Sequence, residues 1–133
     1  MSQENVEMVY RVNEAFNRHN FDAVLPFLDP DIEYGSRIVQ MEGGGPYRSH
    51  DGMRKWWSDL FEVFPDFHSD IDEVKDLGDL TLAKVRQHTQ GTGRQAPADQ
   101  TQWHLAEWRK GKIVRWHVFL SEAEALEAAG LSE

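Results

Sequence analysis

Histidine and arginine are the residues of this chain best suited to chemistry, and most of the histidines lie in its second half. Of the six histidines, His68, His88, His104 and His117 fall in segments of alternating pattern, with Arg86 two residues before His88. An imidazole in a cavity titrates near neutrality and can carry a proton. A guanidinium can steady an enolate, a carboxylate or a developing alkoxide. Other chemistries lack their residues. Without cysteine there is no thiolate nucleophile, no disulfide and no thiolate metal site. No HxH or HExxH motif occurs, and His117 reads onto the opposite face from His104, so no metal site is expected. A Ser-His-Asp set has no elbow motif behind it. Gly43 to Gly45 lack a Lys/Ser continuation for phosphate, and the glycines Gly91 and Gly93 open no helix; both stretches read as loops.

The element that must position His104 is a long β-hairpin over Gln100 to Leu120. A three-residue loop, Arg109-Lys110-Gly111 with Gly111 left-handed, would pair Trp108 with Lys112. Side chains then separate by parity. Gln102, His104, Ala106 and Trp108 share a face with Val114, Trp116, Val118 and Leu120. Trp103, Leu105 and Glu107 share the other with Ile113, Arg115, His117 and Phe119. Both faces are apolar enough to be covered, and in a small protein the second cover is often another subunit.

The remaining elements follow from periodicity. Val6, Val9, Val12 and Phe16 recur at helical steps over Gln3 to Asn17, with Ser2 as cap. A short helix capped by Asn20 carries Ala23, Val24, Phe27 and Leu28, distorted by Pro26 and ended at Asp29-Pro30. Asp31 to Ile38 alternates Ile32, Tyr34 and Ser36 against Glu33, Gly35 and Arg37, a strand with one side toward a cavity. Met53, Trp56, Trp57, Leu60, Phe61 and Phe64 mark a third helix, capped by Ser49 and stopped by Pro65. Period two returns over His68 to Val74 and Leu80 to Gln90. Ser121 and Glu124 make a capping box for a last helix that Gly130 stops. Helices segregated from a run of antiparallel strands give an α+β class.

A chain of 133 residues, 40% hydrophobic, is sized for one domain, taken as 1–133. Its net charge of -9, with no surviving basic cluster, argues against nucleic acid. The start has neither the basic region nor the apolar run of a secretory signal, and no stretch approaches a membrane span. The expected setting is soluble and cytoplasmic, with no membrane partner.

Three segments in order, NEAFNRHNFDAVLPFLDPDIEY, GPYRSHDGMRKWWSDLFEVFPDF and EWRKGKIVRWHVF, resemble the SnoaL-like family of the nuclear-transport-factor-2-like superfamily over nearly the whole chain. The resemblance implies a cone-shaped fold whose curved sheet wraps around N-terminal helices to leave one deep pocket. Relatives in that superfamily include ketosteroid isomerases, limonene epoxide hydrolases, polyketide cyclases and non-enzymatic binding domains. Aligned to the isomerases, the oxyanion-hole tyrosine falls on Val12, the general base on Ser36 and the protonated aspartate on His104. Aligned to the epoxide hydrolases, the Arg and two Asp of the water-activating set fall on Arg86, His88 and Val118. The cyclase acid/base aspartate falls on His104.

The resemblance thus places Arg86 and His88 on the pocket face beside His104, as the three candidate catalytic groups. Val12, Phe16, Tyr34, Ser36, Trp56, Trp57, Gln102, Trp116 and Val118 are the expected wall. The expected partner is a small hydrophobic molecule, turned over by acid/base chemistry without a cofactor or simply held. Arg86 could instead pair with an acidic neighbour, Glu107 or Asp70. The outer face, with Trp103, Leu105, Ile113, Val85 and Phe119 interrupted by Arg115 and His117, suggests a homodimer.

Overall fold

Apolar side chains at steps of three and four build two long helices, α1 (Ser2–Asn17) and, after a short α2 (Phe21–Val24), α3 (Ser49–Val63). The computed structural model describes residues 2–36, 46–89 and 98–130; the glycine stretches at 43–45 and 91–93 lie outside them. Asn20 caps α2 through its side-chain oxygen, and Pro26 sits in a 3₁₀ turn over Leu25–Phe27. Ser121 caps the last helix, α4 (Glu122–Ala128), by accepting from the Glu124 N–H at 3.2 Å.

Among the described residues six strands form one mixed sheet: β1 (Leu28–Ser36), β2 (Tyr47–Arg48), β3 (His68–Asp76), β4 (Leu80–Thr89), β5 (Ala98–Arg109) and β6 (Lys112–Phe119). Their spatial order is β2-β1-β6-β5-β4-β3, antiparallel except where β1 runs parallel to β6. Helices α1 and α3 cover one face. On the other, α4 packs Ala125 and Leu126 over Leu82 and Leu105. Among the described residues no helix is long and apolar enough to cross a membrane.

The β5–β6 hairpin departs from the expected register in two places. Arg109 pairs with Lys112, so the turn has two residues, Lys110 and Gly111, both left-handed at φ 53° and 77°. This is the type I′ geometry that matches strand twist. One turn residue fewer would by itself invert the facing of β6. A bulge at Val114, between the Trp108–Ile113 and Glu107–Arg115 pairs, inverts it back. His104 therefore stands opposite Val118 and Ala106 opposite Trp116, on the face the sequence assigned, while Ile113 moves inward beside Trp108.

The outer face is correspondingly less apolar than expected. Val85 and Ile113 both turn to the inner side, and Leu105 is covered by the chain's own α4, with Trp103 and Phe119 half-buried against it. The polar interruptions are satisfied within the chain: His117 contacts Glu33 at 3.0 Å and Arg115 contacts Glu107 at 3.6 Å.

Candidate functional site

Between the inner sheet face and helices α1 and α3 lies a cavity of about 700 Å³. Of the expected wall, Val12, Phe16, Tyr34, Ser36, Trp56, Gln102 and Trp116 line it. Trp57 and Val118 do not. Trp57 points behind the wall into Phe16, Phe21 and Phe61, with ring centroids 4.8–5.5 Å away. Val118 is buried at 2% exposure in the core of the same hairpin. Tyr34, Trp56 and Trp116 form a mutual aromatic corner, with centroids 4.8–5.6 Å apart in tilted and edge-on pairs. Burial pushes the Tyr34 phenol well up, so its hydroxyl keeps its proton.

His104 does lie on this face; Arg86 and His88 do not. The pairing of Ala83 with His104 and of Val85 with Gln102 puts the odd residues of β4 toward the cavity, and Arg86 and His88 on the outer face. Arg86 donates through Nε to Asp72 Oδ1 at 3.0 Å and is half exposed. It pairs with neither Glu107 nor Asp70. The proposed trio of proton carrier, anion stabiliser and second imidazole is thus divided between the two sides of the sheet.

What surrounds His104 instead is a chain of neutral amides. An indole N–H can only donate, and that of Trp116 reaches His104 Nδ1 at 3.0 Å, so Nδ1 carries the lone pair. The single proton of the neutral ring then sits on Nε2 and goes to Gln102 Oε1 at 3.0 Å. Gln102 Oε1 also accepts from Gln87 Nε2 at 3.1 Å, and Gln102 Nε2 donates to Gln100 Oε1 at 2.6 Å. Gln87 Nε2 and His104 Nε2, 3.3 Å apart, are two donors sharing one oxygen rather than a bonded pair. The amide orientations are therefore dictated in sequence from the indole outward. The chain ends at Gln87 Oε1, which is buried and has no partner among the described residues.

Burial holds the His104 pKa down to about 4. Among the described residues no carboxylate acts on the ring to raise it, so His104 is neutral at physiological pH, with both nitrogens engaged.

Gln87 was not anticipated, nor were Thr81 and Ser69, which are also buried and line the cavity. Amides and hydroxyls do not announce chemistry by type. The alternation of β4 did carry a signal: Lys84, Arg86 and His88 share one parity, whereas Thr81, Ala83, Val85, Gln87 and Thr89 are all uncharged.

The SnoaL-like domain family matches residues 9–116, and the chain belongs to it. No curated protein matches the sequence. Among solved structures, an NTF2-like protein of unknown function from Burkholderia pseudomallei is 20% identical at a TM-score of 0.79, covering 93% of this chain and 95% of that one. TerC, co-crystallized with polyporic acid, is 19% identical at 0.78, covering 93% and 96%. A protein of ketosteroid isomerase-like fold from Catenulispora acidiphila, in complex with trimethylamine, is 18% identical at 0.76, covering 94% and 93%. These likenesses establish the fold, the α+β cone of the NTF2-like proteins.

Proposed function

We propose that this SnoaL-like protein binds a small, flat, mostly apolar molecule that carries one hydroxyl or N–H group, and that it reads this group through Gln87. The observation that carries the reading is the buried, unpartnered Gln87 Oε1 at the end of the amide chain on the cavity wall. Leaving such an acceptor unsatisfied costs about 1–3 kcal/mol, which a ligand donor would recover. The aromatic corner of Tyr34, Trp56 and Trp116 supplies the flat apolar contact. Support for a small organic ligand also comes from TerC and the Catenulispora protein, which were crystallized with such molecules.

Binding is favoured over acid/base turnover for a specific reason. A general base needs an available lone pair, and the one on His104 is occupied by the Trp116 indole while burial opposes protonation. Arg86 supplies no anion stabilisation to the cavity from the far side of the sheet. The test compares 4-phenylphenol with biphenyl by calorimetry. The phenol is expected to bind about tenfold tighter, and Gln87→Leu to abolish that preference while retaining biphenyl. Equal affinities in the parent protein, or an unchanged preference in Gln87→Leu, would overturn the reading.

A further inference from the structure

We propose that the outer sheet face carries a site for a divalent first-row transition ion, Zn²⁺ foremost, held by His68, Asp70 and His88 with Asp99 behind them. The strand pairing creates the site. His68 stands opposite His88 across β3 and β4, and His88 opposite Asp99 across β4 and β5, so three side chains form one row over three strands. Asp70, two residues beyond His68 on β3, shares that face. The donor atoms of His68, Asp70 and His88 lie within 4.8 Å of one another. Tetrahedral ligands around Zn²⁺, at about 2.0–2.1 Å each, stand roughly 3.3 Å apart, so small side-chain rotations close the triangle.

The two rings stack with centroids 5.0 Å apart, and each holds its Nδ1 in an outer hydrogen bond, as metal-bound histidines do. His88 Nδ1 lies 2.7 Å from Asp99 Oδ1, and only a protonated nitrogen binds a carboxylate at that distance. His68 Nδ1 similarly faces the Asp66 carbonyl at 3.3 Å. Each outer hydrogen bond consumes the Nδ1 proton and leaves Nε2 for a ligand, the usual support of a metal-bound histidine. His88 Nε2 is buried and makes no hydrogen bond among the described residues. Asp70 Oδ2 is only 3.1 Å from it, near enough for an ion contact but not aligned for N–H donation. A lone pair and a carboxylate facing each other at that distance call for a cation shared between them. Arg86 stands opposite Asp70 in the strand register but donates to Asp72. Two imidazoles and one carboxylate suit Zn²⁺ and its neighbours better than Ca²⁺ or Mg²⁺, and three protein ligands leave a fourth position open.

The competing occupant is a proton, which would make His88 an imidazolium between Asp70 and Asp99. Equilibrium dialysis of the tag-free, metal-stripped chain against Zn²⁺, with Co²⁺ as a visible-absorption probe, separates the two. One Zn²⁺ per chain is expected, with a tetrahedral Co²⁺ spectrum. Asp99→Asn should weaken binding roughly 10–100-fold. His68→Ala, His88→Ala and Asp70→Asn should weaken it further, while His117→Ala, elsewhere on the same face, should bind like the parent. Circular dichroism confirms that each variant is folded, and Asp70→Asn serves where a histidine variant is not. Absence of stoichiometric Zn²⁺ in the parent at tenfold excess would overturn the proposal and leave the proton as occupant. So would folded ligand variants that bind as the parent does.

Discussion

The indole N–H of Trp116 meets Nδ1 of His104 at 3.0 Å, and this contact determines which nitrogen of the imidazole holds the proton. Nitrogen-15 spectra at pH 7 should show His104 neutral, as the Nε2–H tautomer, and still uncharged at pH 5. A charged ring at pH 6 would contradict it.

The same burial makes stability depend on pH. Between the ordinary histidine value of 6.5 and about 4, the unfolded chain takes up a proton that folded His104 refuses. Stability contributed by this residue's neutrality is therefore full above pH 6.5 and lost as pH falls, by about 3 kcal/mol below both values. Urea unfolding of the parent and of His104→Gln at pH 7 and pH 4.5 should differ in slope accordingly. Identical pH dependence would remove His104 as the cause.

Trp116→Phe removes the donor and keeps a ring. It should cost about 3 kcal/mol, from an unpaired Nδ1 plus lost packing, and should let the His104 pKa rise as Nδ1 becomes free to protonate. Unfolding midpoints and the histidine titration check both parts.

Asn17 acts as a surrogate for a missing strand. β3 is a sheet edge, and at Ser69 its backbone N–H and C=O bond the Asn17 side chain at 2.8 and 2.7 Å. Asn13, one turn earlier, holds the Ser69 hydroxyl at 2.5 Å and its carbonyl at 3.2 Å. Asn17→Ala should lose about 2 kcal/mol and speed hydrogen exchange at Ser69. A change under roughly 0.5 kcal/mol would show that solvent replaces the clamp.

Lys110 occupies the first left-handed position of the type I′ turn, where Asn is the preferred residue. Lys110→Asn should stabilise the chain by about 0.5–1 kcal/mol, measured by thermal unfolding.

Much of the fold was legible because its signals are local. Helical steps placed α1 and α3, and the caps at Asn20 and Ser121 fell where side-chain oxygens meet backbone N–H groups. Long-range register was not. Trp116 and Val118 came out on the face of His104 as expected only because a shorter turn and a bulge, each one residue out, cancelled. Nothing comparable corrected β4: Arg86 and His88 were carried over from aligned positions, and their own charged parity with Lys84 pointed outward. The row of His68, His88 and Asp99 draws on three strands, so no contiguous motif could reveal it.

The bulge at Val114 also bears on how this chain can change length over evolution. The extra residue lies between two inward side chains, Ile113 and Trp116, so deleting Val114 leaves a regular hairpin with the same side chains facing the same way. Deleting Arg115 has the same effect, because Val114 then takes its place opposite Glu107, whereas deleting one residue from 116 to 118 with the bulge kept exchanges the two faces beyond it. Homologous hairpins should therefore tolerate single-residue gaps at the positions of Val114 and Arg115 and resist them from Trp116 onward.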